Sequence, residues 1–376
     1  MPAHRGGDVV SKPALDIKAA WMSRELKHDR QLYRAQFSPD GRLVAAAGQD
    51  RLVHLWDLAS EEPAPNSFDA HRTWISSLVF HPTEKLLFTA DYHGIIYCWD
   101  YGAELPGPPR WSIPEADRNN VRALLITNDG QHLVSAGDDA IVKVWSTADG
   151  RPVTQLKGHK DCVFSLAVSP DGNHLVSGDL LGSIRQWNIA DSWKPAREFD
   201  ARLLHTRGDD FLADVGGVRS LAFRADGQVL AAGGMKEAKS NAFCPGKPTV
   251  LVFDWATGVV KNELRIMGKS DGPFNALRFL EDGTVVGHTE ILHSNSELTF
   301  WQIDQVDPLH SLFSPPAYDL SLHPDGRQLL AACYISGGGT GNGAQKRFED
   351  NYVPNKSALR IFSLYAKPIT EEKKTG

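Results

Sequence analysis

An all-β fold, a closed seven-bladed β-propeller with four antiparallel strands per blade, is what this 376-residue sequence predicts, on three observations. One hairpin pattern recurs seven times. A third apolar strand ending near an aromatic residue follows each copy. An N-terminal strand stands ready to supply the one strand the last copy lacks. Short strands in regular four-membered units, separated by turns, mark a propeller.

The hairpin copies are AQFSPDGRLVAAAG from Ala35, LVFHPTEKLLFTA from Leu78, LLITNDGQHLVSAG from Leu124 and LAVSPDGNHLVSG from Leu166. They continue with LAFRADGQVLAAGG from Leu221, LRFLEDGTVVG from Leu277 and LSLHPDGRQLLAA from Leu320. Six of the seven turns carry Asp-Gly, both of which tolerate the positive φ of a tight hairpin. The second has Thr83-Glu84 instead and is expected to turn differently.

The third strands end at Trp56-Asp57, Trp99-Asp100, Trp145-Ser146, Trp187-Asn188, Phe253-Asp254, Trp301-Gln302 and Phe362-Ser363. Fourth strands such as Val153–Leu156 and Val259–Leu264 follow most of them. After Phe362 the chain is polar, so Met22–Leu26 is expected to complete the last blade and close the ring, removing the edges of an open array. The expected organisation is a disordered N-terminal tail over residues 1–16, the propeller over 17–365 and a charged C-terminal tail over 366–376.

These repeats, in one reading frame across roughly residues 20–364, resemble the WD40-repeat family. The resemblance implies a buried polar network in each blade: a His before the first strand, a Ser or Thr in the second, an Asp at the next turn, and the Trp. The first blade has His28, Asp50 and Trp56 but Ala46; the second His71, Thr89 and Trp99 but His93 at the Asp position. The third has Ser135, Asp139 and Trp145 but Asp117; the fourth His159, Ser177 and Trp187 but Leu181. The last three blades have lost most of it. Repeated spacing is what a repeated packing role produces, so these groups read as structure and not as catalytic triads.

Function is expected at one end of the ring. In a four-strand meander, the connection between second and third strands shares an end with the connection into the next blade. The long connections Gly233–Pro248, Gly287–Glu297, Cys333–Ser357 and the segment entering blade five (200–217) therefore gather at one end, while the Asp-Gly turns opposite stay short. Trp74 and Tyr92, with Arg347, Phe348 and Tyr352 in the blade-seven connection, are candidate contact residues. The resemblance implies that this face takes peptides or protein partners. The expected function is a non-enzymatic protein- or peptide-binding scaffold, monomeric or a subunit of a larger complex. The alternative is an enzyme or small-ligand binder with its site in the central opening.

Composition narrows the remaining classes. The formal net charge is −6 with 23% charged residues, which removes the usual electrostatic driver for nucleic acid or anionic membrane, so neither is expected as a partner. The first residues lack the apolar core of a signal peptide, no apolar run approaches a membrane span, and the four cysteines (Cys98, Cys162, Cys244, Cys333) read as reduced; a cytoplasmic setting is expected. No cofactor or metal is expected. His288, Glu290 and His293 lack helical zinc spacing, Gly337–Gly341 lacks the Lys-Ser/Thr of a phosphate loop, and the Asp-Gly turns lack the serial oxygen ligands of calcium loops.

Overall fold

Alternating apolar residues give each strand one face for either neighbouring blade. In the computed structural model these strands form seven four-stranded antiparallel sheets, with no α-helix among the described residues. The structure describes residues 12–368 apart from 104–106, 209–211, 241–244, 267–271, 290–295, 336–346, 349–350 and 353–354. The innermost strands run Leu32–Phe37, Ile75–Phe80, Val121–Ile126, Val163–Val168, Ser220–Phe223, Phe274–Phe279 and Ala317–Leu322. Each lies beside the innermost strands of both neighbouring blades, and the ring closes between the first and the last.

The seventh sheet takes its outermost strand from the N-terminus. Trp21–His28 pairs antiparallel with Lys356–Ser363, Leu26 opposite Leu359. Residues 12–16, assigned to the tail in the sequence, make contacts here. Arg327 donates to the Pro13 carbonyl at 2.7 Å, the Asp16 N–H to the Leu364 carbonyl at 2.8 Å, and Leu15 packs on the blade-six and blade-seven core.

The core lies between the sheets. Blade on blade buries Trp99, Phe68 and Ile75 between the first two sheets, and Phe199 and Phe253 between the fourth and fifth. Such large apolar side chains contribute roughly 1.5–3 kcal/mol each. The axial edge of every innermost strand has no strand beside it, so its N–H and C=O groups need other partners. Short side chains supply them across the blade boundary. Ser77 Oγ accepts from the Leu124 N–H at 3.0 Å, Ser220 Oγ from the Leu277 N–H at 3.0 Å and Ser321 Oγ from the Phe37 N–H at 3.1 Å. Ser165 Oγ donates to the Val218 carbonyl at 2.7 Å.

The Asp-Gly turns differ in one respect from expectation. Only the glycine takes positive φ. The aspartate does not, and its carboxylate accepts the N–H two residues on, as Asp40 does from Arg42 at 3.1 Å. Gly41 at φ +73° packs so closely on His323 that a Cβ would lie 2.1 Å from the ring. In the second blade Thr83 stands where the aspartate would, and His81, at the position of Ser38, holds the turn, accepting from the Glu84 N–H at 2.9 Å and donating to the Gly130 carbonyl of the next blade at 2.8 Å.

Cys98 and Cys333 are buried free thiols, pushed up to about 12 by burial and so unreactive at neutral pH. Cys244 lies outside the described residues.

Leu26 holds the closing strand and is buried, whereas Met22 on the same strand is 44% exposed. Leu26→Ala is expected to cost about 2–3 kcal/mol in urea unfolding, and Met22→Ala no more than about 0.5 kcal/mol. Equal effects would mean that the seam does not depend on this contact.

Candidate functional site

Near the start of the innermost strand, six blades carry the same irregularity: one extra residue opposite the second strand. The extra residues are Tyr33, Ser76, Arg122, Phe164 and Asn275, with Tyr318 at the start of the wider bulge of blade seven. In blade five Arg219 occupies the equivalent place, just before the paired segment, and donates its N–H to the Gly233 carbonyl. A bulge re-aims a side chain. Here all seven side chains converge on one cavity of about 330 Å³ at the axis. The residue just before each bulge is uniformly apolar and sealed: Leu32, Ile75, Val121, Val163, Val218, Phe274 and Ala317 are all at most 1% exposed. The strand pairing puts this mouth beside the second-to-third connections, since Leu32 faces Gly48 and Ile75 faces Asp91 at the ends of their second strands.

The mouth has two unlike halves. Over blades seven, one and two it is aromatic. Tyr33 meets Tyr318 edge-on at 5.3 Å between ring centres and Trp74 at 6.1 Å, and Trp74 meets Tyr92 edge-on at 5.7 Å. Trp74 and Tyr92, singled out in the sequence, thus stand together at the mouth while packing on one another; Tyr92 is 40% exposed. Gln49 donates to the Tyr33 hydroxyl at 2.9 Å and Gln31 to that of Tyr318, fixing both rings.

Over blades three, four and five the mouth is cationic. The guanidinium of Arg219 lies 3.8 Å from the Phe164 ring centre and that of Arg122 4.8 Å from it, within cation–π range. Arg122 also pairs with Asp138. Arg219 donates to the Gly216 carbonyl at 2.7 Å. Gly216 ends a small ribbon, His205–Arg207 against Asp214–Gly216, built by the long segment entering blade five. Val215 of that ribbon packs on Met235 and Ala238 of the blade-five hairpin, so the added segment braces the arginine. In the blade-seven connection Arg347–Phe348 pairs with Asn351–Tyr352 as a second ribbon. The side chains of Arg347, Phe348 and Tyr352 lie outside the described residues.

None of the residues of the polar networks lines the mouth. In blade two, His71 bonds Asp91 at 2.8 Å and Thr89 at 2.7 Å, and the Trp99 indole donates to Thr89 at 2.8 Å. In blade four, His159 bonds Asp179 at 2.8 Å and Ser177 at 2.7 Å, and Trp187 donates to Ser177 at 2.9 Å. Both are therefore complete. The aspartate stands at the end of the second strand, two residues before the turn positions His93 and Leu181 where the sequence reading sought it. The Ser177–His159–Asp179 chain has the order of a hydrolytic triad, but Ser177 is fully buried and already accepts from the Trp187 indole, so no substrate reaches it.

Blades one and three vary the theme. With Ala46 in place of the hydroxyl, His28 and His54 both bond Asp50, at 2.8 and 2.7 Å, with Trp56 edge-on to His28. Burial alone would raise the Asp50 carboxyl; the two imidazoles outweigh it and hold it well below the usual carboxylate range. The three ligand-type atoms lie within 4.8 Å of one another, and hydrogen bonding, including His54 to Ser67, accounts for the arrangement without an ion. In blade three Trp145 donates to Ser135 at 2.9 Å, and Lys143 pairs with Asp139 at 2.6 Å. Burial pushes the neighbouring Asp117 carboxyl up to about 6, and the Asp139 charge adds to the effect. Of the set-aside metal candidates, His288 is buried, driven down to about 4 by burial and bonded to the Thr289 carbonyl; Glu290 and His293 lie outside the described residues.

Sequence reading singled out Trp74 and Tyr92, which line this cavity, but not the ring of bulged residues beside them. Its signal was available: in each blade one residue of variable chemistry directly follows the first apolar residue of the innermost strand.

Asp117 gives a pH test. Its folded pKa is raised, so its contribution favours folding at pH below about 4 and is lost as pH rises through about 6. Asp117→Asn places an amide donor toward Asp139, as the protonated acid does. The variant is expected to be more stable than the parent by about 1–2 kcal/mol in denaturant unfolding at pH 8, and equal to it near pH 4. A gain of the same size at both pH values would refute the assignment.

Comparison with known proteins places four stretches, residues 23–57, 64–100, 109–146 and 150–188, in the family described as WD domain, G-beta repeat. Relatives include the U3 snoRNP-associated protein-like YAOH of Oryza sativa subsp. japonica, 43% identical over 56 residues, which are 15% of this chain and 11% of that protein. Two Arabidopsis thaliana proteins are similar: U3 snoRNP-associated protein-like EMB2271, 34% over 73 residues (19% of this chain, 14% of the relative), and U3 snoRNP-associated protein-like YAO, 39% over 57 residues (15% and 11%). The matches thus span 11–14% of the relatives' lengths. Their names correct two expectations. These proteins are named for association with a small nucleolar ribonucleoprotein, so neither the exclusion of nucleic acid from the partners nor the cytoplasmic setting stands. Net charge governs non-specific attraction to phosphates; it does not exclude membership of a protein–RNA particle through protein contacts.

Proposed function

From the premise that this chain belongs to the WD40-repeat family of β-propellers, we propose that it is a non-enzymatic interaction scaffold. It grips a protein partner at the axial mouth and the elaborated connections beside it, within a larger protein–RNA assembly of the kind for which its relatives are named. One observation carries this reading. Seven residues at or beside the bulges, one from each blade, line a single recess at the end where the second-to-third connections lie. Aromatic and arginine side chains dominate that recess, and these are the residue types that carry most binding energy at protein interfaces. The Ser177–His159–Asp179 chain, by contrast, is buried and bonded to Trp187, and none of the mouth's lining residues is a carboxylate or a histidine. The candidate contacts Arg347, Phe348 and Tyr352 belong to the same proposal through their connection, which joins the second and third strands of blade seven.

Trp74→Ala and, separately, replacement of residues 337–354 by a short Gly-Ser linker are expected to leave thermal unfolding near that of the parent. Each should weaken partner capture, Trp74→Ala by about thirtyfold, the scale of an interface hot spot. Glu84→Ala, at the opposite end of the ring, should change nothing. Affinity capture with mass spectrometry on the four proteins reads the result; an unchanged set of captured proteins in both mouth-end variants would sink the proposal.

A further inference from the structure

The chain carries a net charge of −6, yet its axial mouth is cationic. Arg34, Arg122 and Arg219 line the cavity and no carboxylate does. Two of these guanidinium groups share one aromatic ring, that of Phe164, which holds them on the same side of the opening. Arg34 is tied to the backbone, donating to the Tyr33 and Tyr318 carbonyls at 3.3 and 3.2 Å, and so stands where the cationic half meets the aromatic one. Arg122 is already ion-paired with Asp138 through its Nε, so an incoming anion would meet its remaining guanidinium donors beside those of Arg219. Guanidinium groups suit carboxylate and phosphate oxygens because their planar donors can bind two at once.

We infer that the mouth recognises a short acidic peptide segment of its protein partner, with an anionic side chain at Arg122 and Arg219 and an adjacent apolar or aromatic side chain against Tyr33, Trp74 and Tyr318. This rests on the scaffold reading above and names the chemistry of its partner. A single-stranded RNA fits the same groups less well. Its many phosphates meet a protein that is acidic overall, whereas a peptide with a few carboxylates feels mainly the local arginines. The aromatic half also offers poor stacking slots, because Tyr33–Tyr318 and Trp74–Tyr92 are packed edge to face, at 89° and 79°.

The test begins with a displayed library of random dodecapeptides selected on the parent protein and on Arg122→Gln/Arg219→Gln. Selected peptides are then synthesised with a fluorescent label for anisotropy. The parent is expected to enrich Asp and Glu next to aromatic or large apolar residues, and the double variant to lose that bias. For a selected peptide, Glu→Gln replacement and either single Arg→Gln change should each weaken binding about tenfold, and binding should weaken further as salt rises. Arg→Lys variants should fall between, which separates loss of charge from loss of the planar donors. Replacing the acidic residues of the peptide by phosphoserine tells which source of anion binds tighter. Selected peptides without acidic bias, peptides that bind the double variant equally, no selected peptides at all, or a labelled oligouridylate that binds more tightly through the same arginines would each overturn the inference. Unbiased peptides that still depend on Trp74 would do so while leaving the scaffold reading intact.

Discussion

The innermost strand of each blade has a partner strand on one side only; its other edge faces the axis. That edge constrains everything around it. In an open sheet it would be a template for aggregation, and here seven of them meet around one shaft. The chain resolves the problem with short side chains placed where the next blade's backbone needs a partner. Ser77, Ser220 and Ser321 accept N–H groups from the following blade, and Ser165 donates to a carbonyl. In blade seven Asp319 stands at the same place and accepts from the Ala35 N–H at 3.3 Å, while Ala123 and Ala276 occupy it in blades three and six. The same bonds join consecutive blades, so satisfying the edge and closing the ring are one act. Closure then rests on a single added strand, Trp21–His28, whose Leu26 reaches Leu359 in the last blade.

The outer parts of the blades are held by a second system, and its uneven distribution follows from energetics. A buried His–Asp pair is strongly destabilising to break, but often no better than well-packed apolar residues of the same volume. Blades two and four keep the full relay from Trp through Thr or Ser to His and Asp. Blade five replaces it with ring packing, Phe253 edge-on to Phe199, which in turn stacks with Trp255 at 5.3 Å. Blade six keeps the tryptophan but turns its indole to the Arg265 carbonyl at 2.9 Å, with Phe274 edge-on to the ring. Either solution fills the space between neighbouring sheets, which is why the repeat can decay in sequence while the blade persists.

That tolerance explains what could and could not be read from the sequence. Blade number, strand order and the N-terminal closing strand were legible, because apolar alternation and turn residues are imposed by the backbone and recur in every copy. The relay was only half legible. Its histidines, hydroxyls and tryptophans occupy fixed columns, but the aspartate moves by two residues between blade one (Asp50) and blades two and four (Asp91, Asp179), at no cost to its reach. The mouth was least legible. Trp74 and Tyr92 stood out as aromatics in connections, whereas Arg122, Phe164 and Arg219 looked like ordinary strand residues. The slip in register, which depends on pairing between strands, is what turns their side chains out of the sheet.

Within this one chain the bulge column and the column before it form a natural contrast. Leu32, Ile75, Val121, Val163, Val218, Phe274 and Ala317 are all apolar and sealed, because each plugs the gap between two blades. One residue later the chemistry runs Tyr, Ser, Arg, Phe, Arg, Asn, Tyr. An extra residue in a bulge is left out of the ladder and points away from the core, so neither strand pairing nor packing dictates what it must be. If folding alone acted on these positions, small polar residues that leave the shaft open would suffice, as Ser76 and Asn275 do. Five of the seven are instead large aromatics or arginines, which lose side-chain freedom when ordered and need extra bonds to hold them: Gln49 for Tyr33, Gln31 for Tyr318, Gly216 for Arg219. Hydrogen bonds that position residues the fold does not require are the physical support for the proposal that this recess receives another molecule.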